Sequence, residues 1–226
     1  MIKCEICKGE PVPFKKKDEF VLYKCDVCGF MQFDYSQASN IFKNAINKIQ
    51  TKPSKANISN AQTYKQFFTG KNILDLGSGV ARCQQGMDVA GVKYKTYTNV
   101  DIDTVRRVAE PVGYKVVAAD VSNDCFIQHL PQIEYDTIIA SHVLEHLPHP
   151  VNVLGVWKKL LGEKTLIYIE VPTYDDLYWK DDDFWLVNAH ISYFLSPVFF
   201  DLMNKHFTEV QSGVYKNNNA FFIGKR

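Results

Sequence analysis

The stretch Ile73-Leu74-Asp75-Leu76-Gly77-Ser78-Gly79-Val80-Ala81 decides the fold. A short apolar run carries one carboxylate and runs straight into two glycines. Gly77 and Gly79 let the backbone come close to a ligand, and Ala81 is a small stand-in for a third glycine. Working outward, similar short apolar runs recur at residues 97–101, 115–120, 137–140 and 166–171, with helical stretches between them. Two more follow at 209–211 and 220–224. Strands alternating with helices predict an α/β fold, a doubly wound, seven-stranded, Rossmann-like sheet over residues 71–226.

In such sheets ligands bind beyond the carboxyl ends of the strands. Asp75, just before the glycines, would set a like charge near a pyrophosphate, at a cost of about 1 kcal/mol or more. The same carboxylate would attract an ammonium. Asp101 ends the second strand, where an acidic side chain takes both hydroxyls of a ribose. Asp120 ends the third, placed to accept from an adenine amine. Three such carboxylates suit a ligand with a ribose, an amine and no phosphate. S-adenosylmethionine fits that description better than NAD.

Residues 73–79 resemble the first motif of class I S-adenosylmethionine-dependent methyltransferases. Asp101, Asp120 and Asp136-Thr137-Ile138-Ile139-Ala140-Ser141-His142-Val143-Leu144-Glu145-His146-Leu147 resemble the next three motifs, in order and spacing. The resemblance covers residues 70–226. It implies a methyltransferase sheet and a cofactor pocket of Asp75, Gly77, Ser78, Gly79, Asp101, Ile102, Asp120, Val121, Ser141 and His142.

The N-terminus reads differently. Cys4-Glu5-Ile6-Cys7 and Cys25-Asp26-Val27-Cys28 are paired cysteines at the spacing of a tetrathiolate zinc site. Each short loop brings two sulfurs to one tetrahedral ion, and Gly29 suits a sharp turn after the last ligand. Four thiolates leave no open position for water, so Cys4, Cys7, Cys25 and Cys28 are expected to hold a structural Zn2+. Residues 20–23 and 30–33 read as strands around the second pair, while Lys15-Lys16-Lys17 reads as an outer loop. Residues 1–35 thus form a zinc ribbon and 71–226 the methyltransferase domain. Residues 36–70 form a helical connector, with one helix on Ile41, Phe42, Ala45, Ile46 and Ile49 and a second from Asn60 to Gly70. The polar loop 51–59 is a candidate cover for a ligand cleft.

Ribbon, connector and methyltransferase domain together resemble the zinc-ribbon methyltransferases that act on nucleotide-linked sugars. In the sugar C-methyltransferases of that group a Glu-His pair precedes a Tyr-Phe and supplies catalytic groups. Here Asn188-Ala189-His190-Ile191-Ser192-Tyr193-Phe194 keeps the histidine but has Ala189 for the glutamate. Those enzymes also continue into a further domain beyond the point that matches residue 226. Both departures shift the expectation toward O- or N-transfer. The resemblance makes His190 the first candidate base or substrate anchor, with Tyr193 beside it as an orienting group.

His142 and Glu145 are further catalytic candidates, as residues following the fourth strand. His142-x-x-Glu145-His146 also matches an inverted zinc-peptidase pattern, but Pro148 and Pro150 break the continuous helix that this chemistry needs. The aromatic stretch 174–185 is expected to wall the acceptor site. Cys83 and Cys125 have no partners in sequence and read as free thiols.

Composition limits the partners. The 226 residues carry 26 Lys plus Arg against 25 Asp plus Glu, a formal charge of +1. Such neutrality argues against extensive phosphate contacts with nucleic acid. No apolar run approaches the roughly 20 residues that span a bilayer, and no secretory leader is evident, so a cytoplasmic location is expected. Six cysteines then stand as thiols or metal ligands. The expected substrate is a small molecule, sugar-linked or glycan-related, with O-transfer favoured. The alternatives are a nucleic-acid or protein methyltransferase gripping its substrate through the ribbon, and a non-catalytic zinc-dependent binding module. Composition leaves the oligomeric state open.

Overall fold

The computed structural model describes residues 2–37, 52–175, 190–216 and 218–226. The N-terminal unit is an antiparallel sheet of β1 (Val12–Lys17), β2 (Phe20–Lys24) and β3 (Met31–Phe33). Lys15, Lys16 and Lys17 therefore lie in a strand and not in a loop. Pro13 is tolerated because β1 is an edge strand, where a missing N–H costs the ladder little.

The helical pattern at Ile41, Phe42, Ala45, Ile46 and Ile49 lies outside the described residues. After it, α1 (Lys55–Thr63) begins earlier than expected. Its cap is Ser54, whose hydroxyl accepts from the Asn57 amide at 3.2 Å while the Asn57 side chain accepts from the Ser54 amide at 2.9 Å. The reciprocal pair satisfies two otherwise orphaned donors. Asn60, expected as the cap, sits inside the helix, and much of the expected loop 51–59 is helical. The short α2 (Lys65–Phe68) follows, and Gly70 at φ +68° ends the segment as expected.

Seven strands then appear where the apolar runs predict them. In chain order the elements are β4 (Asn72–Leu76), α3 (Arg82–Val89), β5 (Thr96–Asp101), α4 (Asp103–Ala109), β6 (Val116–Ala118) and β7 (Thr137–Ser141). Next come α5 (Pro150–Lys158), β8 (Leu166–Pro172), β9 (Ser192–Tyr193), α6 (Ser196–His206), β10 (Thr208–Val214) and β11 (Asn219–Lys225). The large sheet has the order β10-β11-β8-β7-β4-β5-β6. Pairs from β6 across to β8 are parallel, and β11 inserts antiparallel beside β8. β4 is the switch point, with β5 on one side and β7 on the other. The carboxyl ends of β4, β5, β7 and β8 and the amino end of β11 therefore share one edge.

β9 belongs to the other sheet. It pairs with β3, placing Tyr193 opposite Met31 and Ser192 opposite Gln32. The apolar core is shared too: Cys4, Cys25 and Phe30 are buried in one cluster with Leu74, Ile138 and Phe194. The Phe30 and Phe194 rings stand 5.2 Å apart. The cysteine-bearing segment is thus built into the wall of the large sheet.

Candidate active site

The four predicted cysteines converge. Cys4 Sγ lies 3.5 Å from Cys28 Sγ, Cys7 Sγ lies 3.4 Å from Cys25 Sγ, and all four sulfurs fall within 4.8 Å of one another. A tetrahedral ion with 2.3 Å bonds would separate its sulfurs by about 3.8 Å. The two turns are near copies. Lys8 N donates to Cys4 O and Cys4 N to Gly9 O, while Gly29 N donates to Cys25 O and Cys25 N to Phe30 O. Both Lys8 (φ +62°) and Gly29 (φ +78°) are left-handed. Backbone amides of Ile6 and Cys7 point at the Cys4 sulfur, those of Val27 and Cys28 at Cys25, and that of Phe30 at Cys28. Amides aimed at sulfur stabilise thiolates, so the donor set fits a metal ion.

The glycine turn follows β4. Gly77 adopts φ +64° and Gly79 φ +57°. A Cβ on Gly77 would come within 2.1 Å of the Val143 side chain, so only glycine fits beneath that residue. Ser78 is buried and its amide donates to Val100 O. Asp101, at the end of β5, closes the turn: one carboxylate oxygen accepts from Gly79 N and the other from Ile102 N, both at 2.7 Å. Ile102 itself exposes its apolar side chain beside it. Asp75 is 1% exposed and accepts from the Tyr97 hydroxyl at 2.9 Å. Burial pushes its pKa up to about 7, against the Tyr97 hydrogen bond and with help from the charge of Asp101.

Asp120 lies just past β6, exposed, and accepts from Ser122 N and from the Asn123 amide. Val121 packs into the core, with its carbonyl accepting from Trp157 Nε1. Ser141 ends β7 and donates to Glu170 at 3.1 Å. Cys83 is half-buried in α3, where desolvation and then Asp75 and Glu170 push its thiol pKa well up. It is therefore no activated nucleophile. The broad groove lined by Ile127, Pro131, Asp136 and Lys164 lies at the opposite, amino-terminal edge of the strands, away from these groups.

Beyond β7 the catalytic candidates gather. His142 takes a left-handed backbone (φ +56°) and puts its ring between two carboxylates. Nδ1 is 3.4 Å from Glu145 Oε1 and Nε2 is 3.5 Å from Glu170 Oε1. Burial alone would lower its pKa, but Glu145 and Glu170 outweigh it and raise it. The side chain is 43% exposed, so solvent tempers the effect. Glu145 is fully buried, and neither of its oxygens has a hydrogen-bond partner. Burial would raise its pKa, yet His142 and then His146 pull it down to about 2. His190 Nε2 stands 3.9 Å from the same oxygen, and its Nδ1 pairs with the Tyr174 hydroxyl at 2.6 Å. Burial, then His146, pushes His190 down to about 3, so the ring is neutral. Tyr193 is buried against it and donates to the His190 carbonyl.

One residue of this cluster escaped the sequence reading. Glu170, near the end of β8, is 3% exposed and accepts from Asn60, Ser141, Tyr168 and Asn219. Its signal was a lone carboxylate in the otherwise apolar run 166–171. Of the expected acceptor wall, Tyr174 and Asp175 are described and 176–185 are not. Tyr174 faces His190, and Asp175 caps α6 through Ser196.

A family described as "Methyltransferase domain" matches residues 50–207. The chain belongs to that family. Among solved structures, a SAM-dependent methyltransferase from Archaeoglobus fulgidus superposes with a TM-score of 0.57 at 16% identity, covering 75% of this chain and 92% of that one. Another from Aquifex aeolicus gives 0.57 at 13% identity, covering 83% and 97%. At these identities the likeness shows the fold. The ubiquinone biosynthesis O-methyltransferase of Actinobacillus pleuropneumoniae serotype 7 is 26% identical over 104 residues, 44% of each chain. The chain thus matches less than half the length of that curated relative. Among the described residues no helix is long and apolar enough to cross a membrane.

Proposed function

We propose that the protein transfers the methyl group of S-adenosylmethionine to an oxygen of a small, sugar-linked or glycan-related acceptor, with Cys4, Cys7, Cys25 and Cys28 holding a structural zinc ion. The observation that carries the cofactor half is Asp101, whose carboxylate bridges the amides of Gly79 and Ile102 at the switch point of the sheet. Its place at the carboxyl end of β5 suits the hydroxyls of a ribose. Gly77, Ser78 and Gly79 offer bare backbone to the methionine portion, Asp75 a carboxylate for its ammonium, and Ile102, Asp120 and Val121 the adenine side. Ser141 and His142 border both halves. The cofactor supplies an electrophilic methyl on a sulfonium, which leaves the protein to align the acceptor and exclude water.

His142, Glu145, His190 and Tyr193 make the acceptor side. Held near two carboxylates, His142 is biased toward its protonated form beside the acceptor. Neutral, buried His190 suits an anchor for the acceptor oxygen better than a base, since a proton acceptor works best with a pKa near the operating pH. O-transfer is supported by the O-methyltransferases among the relatives. The near-neutral charge supports a small acceptor over nucleic acid. Turnover of labelled S-adenosylmethionine, screened against nucleotide-sugars and small phenols, tests the reading. His190→Ala should lower turnover about a hundredfold while cofactor affinity stays within about twofold. Wild-type turnover in that variant removes His190 from the site.

A further inference from the structure

Among the described residues, Glu145 is the one side chain that buries an entire charged group without a hydrogen bond to either oxygen. Its surroundings are arranged around that group. His142 Nδ1 stands 3.4 Å from Oε1 without making a hydrogen bond, and His146 Nε2 and His190 Nε2 each stand 3.9 Å from it, too far for one. One ligand atom from each of Glu145, His146 and His190 lies within 4.8 Å of the others. The two imidazoles meet edge to face, with centroids 4.8 Å apart. The hydroxyl of Tyr174 pairs with His190 Nδ1 and so turns Nε2 toward the carboxylate. Metal-ligating histidines commonly have such an outer partner. Ile191 N donates to Glu145 O at 2.9 Å, which ties the segment of His190 to the turn that carries Glu145 and His146.

We propose that Glu145, His146 and His190 form a second metal site, separate from the four cysteines, for a divalent transition ion such as zinc, manganese or cobalt. Two imidazole nitrogens and one carboxylate suit such ions and leave coordination positions open. The arrangement is not the inverted zinc-peptidase one. Residues 144–146 form one turn of 3-10 helix instead of a continuous α-helix, and the distant ligand is His190. The proposal rests on the reading that this cluster faces the acceptor. The open positions would take the acceptor oxygen and favour its ionised form, making His190 an anchor through the ion.

The test is cobalt titration of zinc-loaded protein, followed by visible absorption and metal analysis. One equivalent of Co2+ should bind beyond the cysteine-held zinc, with d–d bands and no sulfur-to-cobalt charge transfer. Glu145→Gln and His190→Ala should each weaken this binding at least tenfold, while the first zinc and S-adenosylhomocysteine affinity persist. Cobalt bound only by displacing the cysteine-held zinc, or bound equally by both variants, overturns the proposal. If a variant does not fold, the wild-type stoichiometry decides alone, because no second equivalent also overturns it. Cobalt binding needs no cofactor, so lost S-adenosylhomocysteine binding in the same preparation counts against the methyltransferase reading instead.

Discussion

The glycine turn and the histidine–glutamate cluster lie at the same edge of one sheet, yet they are built in opposite ways. On the turn, Asp101 is satisfied by amides of Gly79 and Ile102, and Asp75 by one tyrosine hydroxyl. The backbone itself defines the site. In the cluster, Glu145 is surrounded by histidines from three positions and hydrogen-bonded by none. Side chains define that site, and they arrive from residues 142–146, 170 and 190. A backbone-defined site should lose its fold and its ligand together when altered. A side-chain-defined site should lose turnover first, as His190→Ala tests.

The sharpest way to break this contrast is Gly77→Ala. The new Cβ would sit 2.1 Å from Val143 Cγ2 at a left-handed φ. Left-handed strain of about 1–2 kcal/mol and overpacking of about 1–3 kcal/mol add to a destabilisation of about 2–5 kcal/mol. Denaturant unfolding should show that loss together with lost cofactor binding; a stable variant that binds normally would mean the turn is not rigid. Asp101→Ala comes next. Removing a charged acceptor from two amides and a ribose should weaken cofactor binding tenfold or more, since one such hydrogen bond is worth about 1.5–3 kcal/mol. Unchanged affinity rejects the ribose role. The smallest effect is one of pH. Asp75, raised to about 7, is largely protonated at pH 6 and ionised at pH 8. An ammonium needs the ionised form, so affinity should rise about tenfold across that range. A flat profile, or one that falls with pH, separates Asp75 from the cofactor amine.

The same contrast explains what the sequence made legible. The seven strands, the glycine turn and the four cysteines are each written in consecutive residues, so apolar runs and spacing reveal them. The start of α1 is local too, but Asn57 stands where a capping box usually has Glu or Gln, which hid Ser54 as the cap. β1 was obscured by Lys15, Lys16 and Lys17, which read as an outer loop until β1 is seen at a sheet edge. β9 could not be read at all. Two residues pair with a strand far earlier in the chain, and no periodicity records such a partnership. His142, Glu145 and His190 were legible as candidates from the resemblance. Their convergence on one unsatisfied carboxylate, and the gathering of four donors on Glu170, depend on long-range packing.

The central claim is that this edge binds S-adenosylmethionine, and calorimetric titration with S-adenosylhomocysteine tests it most directly. Metal-loaded protein should bind that ligand at micromolar concentration and show no heat with NAD, whose pyrophosphate meets Asp75. Binding of NAD instead, or no binding of S-adenosylhomocysteine by well-folded protein, would contradict the account.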